Sequence, residues 1–346
     1  MANMRGRTAT ISVIGAGIIG LWQALVLARR GHRVTLIEAS TVPFAASASR
    51  YAGAMIAPDC EAEAAPDIVR AFGHEGLRLW RATYPGLVAG GTLVVAMARD
   101  RNELTRFARM TGGHREADGE AIAALEPDLA GRFAGGLYFA DEAHMATFDA
   151  MSFLLDAVRE AGAEVRFGEP VGALDQCDGR VVDCRGLGAA RDLKDLRAVR
   201  GERLIVKARD VSLKRPVRLL HPRHPLYVVP WPDETFMIGA TVIESEDAGP
   251  PTLRSGLELM GVAYALHPGF GEAEIVEFGA GLRPAFADNV PRVLVEAGGR
   301  IVRVNGAYRH GFLLAPVLAQ AVAEVLAGGA SHHPLVHDGG SRHRHG

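Results

Sequence analysis

Three glycines and one glutamate are the first residues whose spacing could do chemistry. Gly15, Gly17 and Gly20 give the pattern GxGxxG within VIGAGIIGL, and Glu38 follows 18 residues after Gly20. Where such a run joins a strand to a helix, the first glycine permits a tight turn. The second lets the backbone approach a pyrophosphate at the helix N-terminus, and the third permits close packing of helix on strand. A carboxylate ending the next strand accepts hydrogen bonds from a ribose diol and repels a 2′-phosphate. The pattern predicts a dinucleotide site for FAD or NAD and disfavours NADP.

The elements needed to position these residues are legible around them. Residues 8–14 read as a buried strand, and Ile18, Leu21, Leu25 and Ala28 recur at helical spacing up to Gly31. The run RVTLIE at 33–38 forms the next strand and completes a β-α-β unit. A nicotinamide dehydrogenase would usually continue with further β-α units, but residues 43–58 (PFAASASRYAGAMIAP) are a small-residue segment instead. Helical patterns cover 67–84 and 149–161, the second with Asp149 as N-cap and Gly162 as C-cap. Strands are predicted at 91–96, 136–139, 164–167 and 180–184. A β-rich stretch follows at 203–209, 217–220, 226–229 and 235–243, with Pro232-Asp233 turning a hairpin. Strand clusters between nucleotide-binding pieces predict a second domain inserted into the first. A last helix is expected at 314–326, with Pro316 near its first turn and Gly328-Gly329 after it. Residues 331–346, rich in His, Gly and Ser, read as a disordered tail.

Composition narrows the partners. Lys+Arg number 38 against 40 Asp+Glu, a net charge of −2, which leaves no electrostatic footprint for nucleic acid or an anionic membrane. Small molecules are the expected partners. Only Lys194, Lys207 and Lys214 are lysines, so arginine is the default cation here and a lone arginine says little. Cys60, Cys177 and Cys184 are too few and too irregular for a disulfide framework or a CxxC metal site, which fits a reducing compartment. The early arginines and apolar run imitate a secretory signal, but the run is punctuated by the dinucleotide glycines and continues into an amphipathic helix. No segment reaches the ~18 apolar residues of a membrane span. The expected location is the cytoplasm.

Five motifs in order carry a further signal: VIGAGIIGL with Glu38, AGAMIAP, HPLYVVP with IGAT, GLRPAFADNVPRV, and GAYRHGFLLAP. Together they resemble the D-amino-acid oxidase superfamily, and most closely the glycine oxidases of thiamine biosynthesis, over about residues 9–328. The ordered set is specific where no single motif is. The resemblance implies an α/β fold: a Rossmann-like FAD-binding domain from 8–80, 145–202 and 280–330, with an inserted antiparallel-sheet substrate domain from 81–144 and 203–279.

It also implies roles for individual residues. Arg283 in GLRP matches the arginine that grips the substrate carboxylate, chemistry suited to a bidentate guanidinium fork. Arg309 matches a position beside the substrate, and Tyr227 the tyrosine that supports the carboxylate or shapes the pocket. Ala52, Gly53, Ala54 and Met55 match the segment that passes beside the flavin ring. Further flavin contacts are implied at Ile18, Ile19, Val171, Gly306, His310, Gly311, Phe312 and Leu313. Gly306 and Gly311, together with the N-terminus of the final helix, would stabilise negative charge on reduced flavin.

The implied reaction is FAD-dependent oxidation of a small amino acid, glycine foremost, to the imine and then glyoxylate, with O2 reduced to H2O2. The sarcosine-oxidase type attaches flavin through a cysteine and uses a lysine near it. No cysteine follows Cys184 and no lysine follows Lys214 in this chain, so the FAD is expected to be non-covalent. The chain departs from some glycine oxidases at Pro225, where they carry a polar residue, and substrate choice stays open at this point. D-amino-acid oxidase, quinone-linked dehydrogenase and flavin binding without turnover are the alternatives. The resemblance also suggests a homo-oligomer.

Overall fold

Aliphatic and β-branched residues in TISVI and RVTLIE make neighbouring parallel strands, Thr10–Ile14 and Arg33–Glu38, in register from Thr10 opposite Arg33 to Ile14 opposite Ile37. The connecting helix, Ile18–Arg29, is apolar nearly all round and accordingly buried, with Leu21, Leu25 and Leu27 fully inaccessible. It packs against the final helix, Gly311–Leu326. Gly31, at φ +84°, lets the chain turn out of the helix. The computed structural model describes residues 8–223, 225–328 and 332–339.

The chain divides into two units. The first takes in residues up to Arg50, Ala150–Ala198 and from Arg283 onward. Among its described residues seven strands form one sheet, in the order Val336–Asp338, Arg292–Glu296, Ile301–Asn305, Arg180–Asp183, Thr10–Ile14, Arg33–Glu38, Glu164–Phe167. All neighbours are parallel except Arg292–Glu296 with Ile301–Asn305. The first strand is central, so the loop after it opens at the carboxyl ends of parallel strands, where α/β sheets bind ligands.

The second unit comprises Tyr51–Asp149 and Val199–Leu282. Its eight-stranded sheet runs Glu274–Ala285, Arg197–Lys207, Thr235–Gly239, Leu226–Trp231, Val217–Leu220, Thr92–Ala96, Gly135–Phe139, Arg115–Asp118. From Arg197–Lys207 onward neighbouring strands are antiparallel, save Val217–Leu220 alongside Thr92–Ala96, which are parallel. The hairpin at Pro232-Asp233 is present, with Asp233 and Glu234 both at φ +59°. A large core of Leu93, Leu204, Val228, Phe236, Ile238 and Leu259 lies under one face.

Several expectations need correction. The 149–161 helix starts earlier, at Thr147, which places Asp149 in its first turn and not at the cap. The final helix begins at Gly311, so Pro316 lies inside it. The tail is not wholly disordered: Val336–Asp338 pairs with Arg292–Glu296 and Leu335 is buried, while 331 and 340–346 lie outside the described residues. Long elements absent from the sequence reading include the helix Leu253–Leu266 and the strand Glu274–Ala285. Among the described residues no helix is long and apolar enough to cross a membrane.

Candidate active site

The first unit assembles the nucleotide end. Gly15 adopts φ +99° and donates its N–H to the Ile37 carbonyl at 2.8 Å. A Cβ on Gly15 would stand 2.7 Å from the Cys184 carbonyl oxygen, and one on Gly20 would run into the Gly15 carbonyl. Both glycines are therefore fixed by close backbone packing. Gly17 is the N-cap of the helix Ile18–Arg29, and a Cβ there would be 2.9 Å from Ser47 Oγ, so the bare backbone lets the serine hydroxyl close on the start of the helix. Ile18, buried, and Ile19, half-buried, form the first turn, which holds no acidic residue.

Glu38 ends its strand as expected and points back at this loop. Its carboxylate accepts the Ala16 N–H at 2.7 Å and the Ser40 N–H at 3.0 Å. Ser49 accepts the Ile18 N–H at 3.1 Å. Ser47 and Ser49 were missed in the sequence, where they sit in a small-residue run without a motif of their own. Two serines in the small-residue run that follows the Glu38 strand were the available signal. Val171 packs on the aliphatic group Ile14, Ile37, Leu174 and Val181.

The same unit gathers the C-terminal motif. Gly306, at φ +78°, is followed by Ala307, which bridges Ala285, and by Tyr308, whose N–H donates to the Pro284 carbonyl at 2.9 Å. Arg283 and Arg309, both half-buried, flank this connection. His310 is buried, donates its N–H to the Ala307 carbonyl at 2.7 Å and accepts from Leu314 at 2.9 Å; it closes the start of the helix. Gly311, Phe312 and Leu313 form the first turn, again without an acidic residue and without a side-chain cap. A Cβ on Gly311 would be 3.4 Å from Ile18 Cγ2, so the two helix N-termini lie side by side.

The second unit holds the other matched residues. Ala52 accepts from Thr147 Oγ1 at 2.7 Å and Ala54, at φ +50°, accepts the Met145 N–H at 3.2 Å. Met55 pairs with His144 in a short two-stranded ladder. Gly53 lies against the sheet: a Cβ would meet the Met237 methyl and approach Tyr227 Cε2 at 3.2 Å. Tyr227 is opposite Gly239, which in turn is opposite Arg203, so these three share a sheet face. Tyr227 is thus brought to the 52–55 segment.

These residues fit a flavin dinucleotide. Two adjacent helix starts, each carrying outward N–H groups and a positive dipole end, suit a pyrophosphate and an electron-rich ring edge. The bare backbone at Gly17 and the carboxylate of Glu38 suit phosphate and ribose. Burial pushes the Cys60 and Cys184 thiols well up, keeping both protonated at neutral pH.

An α/β nucleotide unit with a separate, largely antiparallel sheet unit is the architecture of a two-domain flavoprotein. The match to known families makes the class specific: residues 10–325 fit the FAD dependent oxidoreductase family, and the chain belongs to it. It is 52% identical to the thiamine biosynthesis oxidoreductase ThiO of Rhizobium etli, covering 91% of this chain and 96% of that one. It is 28% identical to the bifunctional protein ThiO/ThiG of Trichormus variabilis, over 92% of this chain and 53% of that protein. In fold it is similar to glycine oxidase from Geobacillus kaustophilus, with a TM-score of 0.80 at 23% identity over 95% and 97% of the two chains.

Proposed function

We propose that the protein oxidises glycine to the imine in an FAD-dependent reaction, within thiamine thiazole biosynthesis. The 52% identity to a thiamine biosynthesis oxidoreductase across nearly both chains carries this reading. The residues around Gly17, Glu38 and Gly311 would hold the cofactor without a covalent bond. When bound, FAD supplies a two-electron acceptor that O2 can reoxidise with release of H2O2.

The chain's own residues supply binding and orientation. Arg283 grips the amino-acid carboxylate through paired charge-assisted hydrogen bonds, and Arg309 adds positive charge beside it. Tyr227 holds the substrate side of the pocket through its hydroxyl. The small side chains of Ala52, Gly53 and Ala54 leave room for close approach, and fixing the substrate Cα–H supplies the rate without a side-chain base. The imine leaves to water, giving glyoxylate and ammonia, or is used as a thiazole precursor. A cytoplasmic location and self-association complete the reading.

The test is product stoichiometry. The purified yellow protein, given glycine in air, is expected to form H2O2, ammonia and glyoxylate in equal amounts. Turnover confined to D-alanine or D-proline would instead favour a D-amino-acid oxidase. Glycine oxidation only with an added quinone would make it a dehydrogenase.

A further inference from the structure

The helix Leu253–Leu266 (LRSGLELMGVAYAL) in the second unit buries Ser255, Gly256, Leu259, Ala263 and Leu266 against the core. The rest of its surface should be polar in a monomer that meets only water. It carries instead Leu253, Leu257, Met260 and Tyr264, exposed by 79%, 63%, 39% and 58%. Arg254 and Glu258 are the helix's only charges. The stripe widens on both sides. On one, Phe278 lies against Gly256, whose Cβ would be 3.1 Å from the ring, and Val276, two residues earlier on the same strand face, is exposed next to Ile275. On the other, a cleft of about 260 Å³ is lined by Leu257, Gly261, Ala265, Met97 and Leu219.

We infer that this face is a twofold interface with a second copy of the chain, the helices antiparallel about an axis between Glu258 and Leu259. This deepens the self-association proposed above by naming its surface, and does not rest on the reaction.

Two observations select a second copy. The first is area: the side chains of Leu253, Leu257, Met260, Tyr264 and Val276, with Ile275 on the other strand face, together present on the order of 500 Å², at the upper end for a monomer's largest apolar patch and more than half of the ~800 Å² per partner of a stable interface. The second is the pattern, which is its own reverse. The intervals 253, 257, 260, 264 are symmetric, so in an antiparallel pair Leu253 meets Tyr264 and Leu257 meets Met260. Apolar meets apolar at every position. Gly261 has open space beyond its Cα and permits close approach, and the adjoining cleft can take a protruding side chain of the other copy. A membrane surface would call for lysine or arginine fringing the stripe on both sides, which a single arginine does not provide.

The test is the mass of the flavin-loaded protein in solution, by size exclusion with light scattering at micromolar concentration. The wild type should be a dimer or an even multiple of one. Leu257→Glu and Tyr264→Glu should each halve that mass, while Met110→Glu, an exposed apolar residue elsewhere in the unit, should not. Leu257→Cys combined with Met260→Cys should form an interchain disulfide on oxidation, which fixes the register. A monomeric wild type would overturn self-association itself. An oligomer unmoved by both glutamates, or a double-cysteine variant that does not cross-link, would overturn this surface.

Discussion

The backbone N–H of Tyr308 donates to the carbonyl of Pro284 at 2.9 Å, beside the antiparallel bridge of Ala285 with Ala307. Two distant motifs, GLRP and YRHG, are thereby tied together by main-chain atoms. The arginine next to each end of that bond, Arg283 and Arg309, is held by backbone geometry that side-chain substitution leaves intact. Mutating either arginine should therefore report on its charge more than on the fold.

Arg283→Met is expected to lower kcat/KM for glycine by roughly 10²–10³-fold, the scale of a lost, desolvated charge-assisted pair of about 3–4 kcal/mol. Bound flavin should be unchanged in its absorbance spectrum. Steady-state kinetics beside the spectrum checks both; a variant within a few-fold of wild type would remove Arg283 from the carboxylate role.

Glu38→Ala should weaken FAD binding by about ten- to a hundredfold. The carboxylate holds two loop N–H groups, of Ala16 and Ser40, and their loss leaves both without that acceptor, worth about 1–3 kcal/mol. Quenching of flavin fluorescence on titrating the apoprotein measures it. Equal affinity in variant and wild type would contradict the role.

Glu142 should make stability depend on pH. Burial pushes its carboxyl up to about 8, with Thr92 and the Cys60 N–H, at 2.7 Å, opposing the shift. The folded protein therefore keeps a proton that the unfolded chain releases near its ordinary 4.5. That contribution is full below 4.5 and is lost as pH rises toward 8. Glu142→Gln, neutral at every pH, should gain in melting temperature relative to wild type from pH 5 to 8. Nearby His144, lowered to about 4 by burial, acts in the opposite sense: its contribution is full above about 6.5 and is lost as pH falls toward 4. Parallel melting curves of wild type and Gln variant across this range would show that Glu142 titrates normally.

Gly306→Ala should cost about 1–3 kcal/mol, since the position holds φ +78° and its Cβ would strike the Phe286 ring. The chain around Arg309 and the start of the last helix should shift with it. Thermal unfolding measures the cost, and flavin content on purification should fall. A variant as stable and as yellow as wild type would show that the turn can relax.

Sequence reading reached the nucleotide loop because Gly15, Gly17, Gly20 and Glu38 are constrained by contacts within one β-α-β unit, and such local constraints leave a motif. Arg283 and Tyr227 are proposed only through family resemblance, because their settings are made by strands far apart in the chain. Ser47 and Ser49 stayed hidden since a serine that accepts one N–H carries no spacing rule. The helix Leu253–Leu266 was obscured by a stripe of apolar residues on two faces, which blurs the 3.6-residue period. The short strand Val336–Asp338 gains its place from pairing with Arg292–Glu296, not from its own composition.

If the protein oxidises glycine, glycine must deliver its electrons to the bound flavin. In an anaerobic titration of the purified yellow protein, glycine is expected to bleach the flavin band fully, with colour restored on admitting air. A flavin that stays oxidised with glycine, while remaining reducible by dithionite, would contradict it.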